Sequence, residues 1–249
     1  VNRIVEHINY DAEAVKSVED LAHQLAIKAT TGTFIERGQA ARELDMLARQ
    51  ATGIGKAPFV ADFVRLLIEA GEPVVLWGWH RAFYERVVER LSDLNPAMYT
   101  GSETASKKTK SKDAFLRGET DLLIMSLRSG AGVDDFQHRC STGVFGELDW
   151  SPGIHQQCIW RLDREGQKDP VTAFFLVTDD GSDPPMMEVL GLKSSEATNI
   201  VDPYLGVQAV HTDTNRLKKL VDLYLHKKRS GKSQSLEIVQ VPSMNVISR

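Results

Sequence analysis

From Val74 onward, short apolar runs alternate with helix-length amphipathic segments, and this rhythm constrains the fold more than any other feature of the chain. Val74 to Trp77 (VVLW), Ala97 to Tyr99, Leu122 to Ser126 (LLIMS), Thr142 to Leu148 and Val171 to Val177 read as strands. LLIMS has no polar alternation, so it is expected at the centre of a sheet covered on both faces. Helices are expected over about 81–94, 106–117 and 154–162. Strands alternating with helices imply an α/β fold with a doubly wound parallel sheet. Ligands of such sheets sit at the carboxyl ends of the strands. Here those ends lead into Gly78, Gly101, the stretch from Ser126 to Gly132 and the stretch from Trp150 to Gly153.

Helical extensions are expected on both sides of this core. At the amino end, Arg3 to Tyr10 (RIVEHINY) alternates like a strand. Helices over about 11–29, 39–51 and 58–71 follow, the second stopped by Gly53 and Gly55 and the third opened by Pro58. At the other end a helix is expected over about 214–228, with Leu217, Leu220, Val221 and Leu225 on one face, followed by a tail of little periodicity. The division expected is 1–72, 73–200 and 201–249.

Composition excludes several classes. No apolar run approaches the roughly 18 to 20 residues that a membrane-spanning helix needs. Cys140 and Cys158 are the only cysteines, which excludes a disulfide-rich secreted scaffold and suits a reducing cytoplasm. Together with His155 they include no Cys-x-x-Cys pair and no fourth ligand, so no metal site is expected. The chain starts at Val1, as an excised piece of a longer protein would. Net charge is −4, but the charge is unevenly spread. Residues 101–117 hold five basic against two acidic side chains, and residues 216–232 hold seven against one. Clustered cations on an otherwise acidic body suit a polyanion-binding face; lysines decorating a solvated helix would give the same counts.

The sharpest cluster is Gln157-Cys-Ile-Trp-Arg161-Leu-Asp-Arg164-Glu-Gly166-Gln167. If the helix continues through it, Arg161 and Arg164 share a face and can meet one anion, the ordinary alternative being a charged surface helix paired through Asp163 and Glu165. Gln-x-x-x-Arg-x-x-Arg-x-Gly-Gln resembles motif VI of the Swi/Snf-type superfamily-two helicases and translocases. The surrounding order is similar to their second, RecA-like lobe. Val74 to Trp79 (VVLWGW) resembles motif IV, and Tyr99 to Ser102 (YTGS) resembles the turn ahead of its next helix. Ser126-Leu-Arg128-Ser-Gly130-Ala-Gly132-Val-Asp134 resembles motif V, and Asp149-Trp150-Ser-Pro152 resembles the Asp-Trp-Asn-Pro stretch. Asp163 stands where the family has His, and the motif V turn is one residue shorter.

The resemblance implies a RecA-like lobe from a nucleic-acid-dependent ATPase. Arg161 and Arg164 would be arginine fingers to ATP, with Mg and phosphates held mainly by a first RecA-like lobe, and Gln157 would help close the interface. Gly132 and Asp134 would face the nucleotide. Gly101, Ser102, Lys107, Lys108, Ser126, Arg128 and Gly130 would face nucleic acid, DNA or RNA. The protein would be cytoplasmic, of bacterial or phage type, or nucleoid-associated. No phosphate loop is expected: Gly231-Lys232-Ser233 has His226 at the first-glycine position and follows a helix. The chain alone should therefore be inactive. Two rival readings are a non-catalytic nucleic-acid-binding module and the nucleotide-sugar-binding half of a glycosyltransferase. Of Trp77, Trp79, Trp150 and Trp160, at least two are expected in the core, and the others are available to stack on bases.

Overall fold

The computed structural model describes residues 1–129, 134–192 and 217–226. Six strands form one all-parallel sheet: β1 (Asn2–His7), β2 (Val74–Gly78), β3 (Ala97–Tyr99), β4 (Leu122–Ser126), β5 (Thr142–Phe145) and β6 (Thr172–Val177). Their order across the sheet is β1-β6-β5-β2-β4-β3. LLIMS is β4, lying between β2 and β3 with its first four residues buried, as its unbroken apolar run requires.

The helices are α1 (Lys16–Thr31), α2 (Phe34–Glu69), α3 (Arg81–Arg90), α4 (Ala105–Leu116), α5 (Pro152–Ile159) and α6 (Asp183–Leu190). Alternate strand residues enter two cores, one on each face of the sheet. Val74, Leu76, Leu122 and Ile124 pack with Ala57, Val60 and Val64 of α2 and Phe83 and Val87 of α3. Val75, Trp77, Leu123 and Met125 pack with Phe115 of α4, Ile159 of α5 and Met186 of α6. Trp77 and Phe175 both stack on Phe145, at ring separations of 4.8 and 4.6 Å, which carries aromatic packing across three strands. A third cluster joins Ala22 and Ala26 of α1, Leu44 and Ala48 of α2, and Leu220, Val221 and Tyr224 of the helical stretch 217–226. The remainder of the expected 214–228 helix lies outside the described residues.

Two expectations are corrected. The helices expected over 39–51 and 58–71 are one helix, α2, which contains Gly53, Gly55 and Pro58. Gly53 is not a breaker: a Cβ there would stand 2.4 Å from the Glu147 carboxylate, so the missing side chain admits a close contact. Thr33 opens α2 with a reciprocal capping box to Glu36. Secondly, β1 and the latter part of α2 do not precede the α/β core but form part of it, β1 pairing in parallel with β6 from Asn2↔Thr172 to His7↔Val177.

Candidate nucleic-acid and nucleotide site

Parallel pairing of β2 with β4 and of β4 with β3 brings three carboxyl ends side by side, with Gly78 opposite Ser126 and Tyr99 opposite Met125. Gly101, Ser102, Ser126 and Arg128 therefore lie along one edge of the sheet. After β3, the Thr100 amide and hydroxyl donate to Glu103, and the Ser102 amide donates to the Thr100 hydroxyl at 3.3 Å. The Thr104 hydroxyl caps α4 by accepting from the Lys107 amide. Gly101 is exposed, with open space where a Cβ would stand. Lys107 is exposed, while the Lys108 ammonium lies 5.4 Å from the centre of the Tyr99 ring. Lys112 is ion-paired with Asp135 at 2.8 Å, which neutralises one charge of the patch.

Arg128 is held more firmly than its place in a loop suggests. Its guanidinium donates to the Asp149 carboxylate at 3.1 and 2.9 Å and lies 5.4 Å over the Trp79 ring. Asp149 is buried and also accepts from the Ser151 amide at 2.9 Å. His155 underpins this turn: its Nε2 faces the Asp149 amide at 3.2 Å and its Nδ1 faces the Ser151 carbonyl at 3.1 Å. An amide partner requires an acceptor at Nε2 and a carbonyl partner a donor at Nδ1, so the neutral tautomer satisfies both. Burial pushes the imidazole pKa down to about 4. Trp150 is buried, and its indole N–H donates to Asp45 at 2.6 Å.

Arg161 and Arg164 do not share a helix face, because α5 ends at Ile159. The Arg161 and Leu162 amides bond to carbonyls three residues back, Cys158 and Ile159, so the last turn tightens and the chain leaves the helical path. Leu162 is buried, and the Gln167 amide group donates to the carbonyls of Cys140 and Leu162 at 2.9 and 3.1 Å, which stitches the turn to the core. Gly166 takes a φ of +93° there, open to glycine at little cost. The two arginines still meet one segment of chain. Arg161 donates to the Ser129 carbonyl at 2.7 Å, and Arg164 is ion-paired with Asp134. The carboxylate held against Arg164 is thus Asp134, where the sequence offered Asp163 and Glu165. Gln157 is exposed on α5. Gly130 and Gly132 lie outside the described residues.

Two features escaped sequence reasoning. Trp79 stacks with Arg128, a contact between residues 49 positions apart that no local pattern announces. Lys56 and Asp183 form a buried ion pair at 2.6 Å, with only 1% and 2% of their side chains exposed. The Lys56 ammonium also donates to the Leu176 carbonyl, and Asp183 accepts from the Thr178 amide. The only local signal was a lysine inside an apolar stretch of α2.

Cys140 and Cys158 are buried, which pushes both thiols up to about 12. Among the described residues no three His, Cys, Asp or Glu side chains are grouped to hold a metal ion, and no helix is long and apolar enough to cross a membrane.

No family model matches the chain. Its fold is similar to that of the C-terminal part of the Fun30 ATPase domain, with a TM-score of 0.66 at 12% identity over 92% of this chain and 97% of that one. The C-terminal domain of the Sulfolobus solfataricus SWI2/SNF2 ATPase aligns with a TM-score of 0.57 at 11% identity, over 89% of this chain and 99% of that domain. The S. solfataricus SWI2/SNF2 ATPase core in complex with double-stranded DNA aligns with a TM-score of 0.61 at 14% identity, over 77% of this chain and 44% of the core. The chain thus has the RecA-like α/β fold of a SWI2/SNF2 ATPase C-terminal lobe.

Proposed function

We propose that the chain is the C-terminal lobe of a nucleic-acid-dependent ATPase, a helicase or translocase of Swi/Snf type, that hydrolyses no ATP alone. The observation that carries this reading is the turn after α5, where Arg161 and Arg164 each engage an oxygen of the segment that leaves β4. Two guanidiniums gathered beside one stretch of chain suit a polyphosphate, whose charge is spread over several oxygens. ATP would supply the phosphoryl group to be transferred, with Mg and the phosphates held mainly by a first RecA-like lobe. In this chain Arg161 and Arg164 would donate to the terminal phosphate, Gln157 would lie at the lobe interface, and Gly132 and Asp134 would face the nucleotide. Closing the two lobes would bring the arginines to the phosphate, so their contribution falls mostly in the transition state.

The edge formed by Gly101, Ser102, Ser126 and Arg128, extended by Lys107 and Lys108, would receive the nucleic-acid backbone, and Gly130 would join them in that role. The double-stranded DNA bound by the S. solfataricus core of similar fold supports DNA as that ligand. The same likenesses favour neither a glycosyltransferase half nor a non-catalytic module. The test is to mix this chain with a separately produced first lobe of the same protein and measure ATP turnover with saturating DNA. Turnover is expected only with both parts present, and Arg161→Ala in this chain should abolish it. Turnover by this chain alone, or full activity with Arg161→Ala, would overturn the proposal.

A further inference from the structure

The first turn of α2 carries two large apolar side chains that serve no core. Phe34 is 84% and Ile35 73% exposed, and the capping box of Thr33 and Glu36 fixes the helix start without them. Both line an open groove of about 730 Å³ between the first turns of α2, the end of α1 and the stretch 217–226, whose apolar lining Ala41, Leu217 and Val221 continue. Arg37, Arg42 and Lys218 line it too, all exposed, against one carboxylate, Asp222. Among the described residues none of these three cations is ion-paired. On a chain of net charge −4, a positive rim around an apolar floor runs against the overall balance. Contiguous exposed apolar surface rimmed by polar groups marks an interaction site, and here the charge selects the occupant.

We infer that this groove docks an acidic amphipathic helix of another protein, its apolar face on Phe34, Ile35 and Leu217 and its carboxylates towards Arg37, Arg42 and Lys218. The stretch from Phe34 to Arg42 is about 12 Å long, enough for roughly two turns of a partner helix. A groove walled by helices admits a rod, whereas a flat bilayer would meet only its rims. A second copy packed groove to groove about a two-fold axis would set the same cations against each other. The apolar floor does not suit a nucleic-acid backbone, and Phe34 lies about 35 Å along α2 from Ala57, where the helix packs on the sheet. The inference is therefore independent of the ATPase reading.

The probe is a labelled synthetic peptide of about 18 residues, five helical turns, with leucines at helical spacing and glutamates elsewhere; its counterpart has lysines for the glutamates. Titrated with the full chain, the glutamate peptide should bind about tenfold more tightly or better. Phe34→Ser combined with Ile35→Ser should weaken that binding about tenfold or more, as truncated interface anchors do. Arg37→Glu combined with Arg42→Glu should abolish the preference for glutamate, and replacing Lys107 and Lys108 with Ala should change nothing. Equal binding of the two peptides, no binding of the glutamate peptide, unchanged binding by the Phe34 and Ile35 variant, or binding lost with Lys107 and Lys108 would overturn the inference. So would attachment to phosphatidylserine vesicles, or a doubled mass in solution, that depends on Phe34 and Ile35, because the groove would then serve a membrane or a second copy. Should the Phe34 and Ile35 variant fail to fold, the charge-reversed variant still decides.

Discussion

Arg164 is ion-paired with Asp134, 30 positions earlier in the chain, so a residue read as an arginine finger is engaged by its own lobe. Both side chains are about half exposed, which keeps the pair weak enough to exchange for a phosphate. In an ATPase assembled from both lobes, Arg161→Ala or Arg164→Ala should reduce turnover about 10³-fold or more, with a much smaller change in ATP affinity. Lys at either position should restore little, because an ammonium cannot reproduce the planar fork. Steady-state kinetics with saturating DNA are the measure. Near-normal turnover in both Ala variants would reduce the turn to a charged surface.

Binding of the chain to nucleic acid should be weak and governed by salt. Lys112 is spent on Asp135, which leaves the patch able to neutralise about three phosphates and sets a slope of log affinity against log salt near −2 to −3. Titrations at several salt concentrations, repeated after replacing Lys107 and Lys108 with Ala, should show both a loss of affinity and a shallower slope. An unchanged slope in that variant would remove these lysines from the interface.

Much of the sheet was legible because its strands are short apolar runs, and a run such as LLIMS calls for cover on both faces, which β4 has although it lies one strand in from the edge. The long helix was not legible. Gly53, Gly55 and Pro58 have the local form of stop signals, and only the distant Glu147 shows why a residue without a side chain is needed at position 53. The arginine cluster was found by spacing, but its geometry was misread: apolar Cys158, Ile159 and Leu162 keep a helical period through a turn that is no longer helical. The edge position of β1 and the Trp79–Arg128 contact arise from strand order, which no single segment encodes.

The buried pair of Lys56 and Asp183 should behave asymmetrically under mutation. Burial pushes the Asp183 carboxyl above its ordinary range, while Lys56 and the Thr178 amide hold it down. Lys56→Met strands that carboxyl in the interior and should cost about 3–5 kcal/mol in urea denaturation. Combining Lys56→Met with Asp183→Leu should recover a substantial part of the loss, because no buried charge then remains. A double variant less stable than Lys56→Met alone would show that the Thr178 amide bond matters more than the ion pair.

His155 predicts an acid-sensitive component of stability. Its folded pKa, about 4, lies below the ordinary 6.5, so the unfolded chain takes up the proton first as pH falls. The contribution is complete above pH 6.5 and is lost as pH falls towards 4, reaching about 3 kcal/mol at 1.36 kcal/mol per pH unit. His155→Gln keeps a donor and an acceptor but does not titrate, so its stability curve should be flatter over this range. Parallel curves for the two proteins would rule the histidine out as the cause.

Because α2 is unbroken from Phe34 to Glu69, the α1 hairpin and the sheet are joined without a hinge. The Lys56 clamp grips this rod beyond its midpoint and the Trp150 indole grips it again at Asp45, leaving roughly 17 Å of helix ahead of that second contact at 1.5 Å per residue. The hydrogen-bonded turns ahead of Asp45 resist bending, so tilting the sheet by about 10° would sweep the Thr33 end through about 3 Å. The arrangement is a lever. A change of angle at the sheet is delivered, magnified, to whatever touches the far end of the rod.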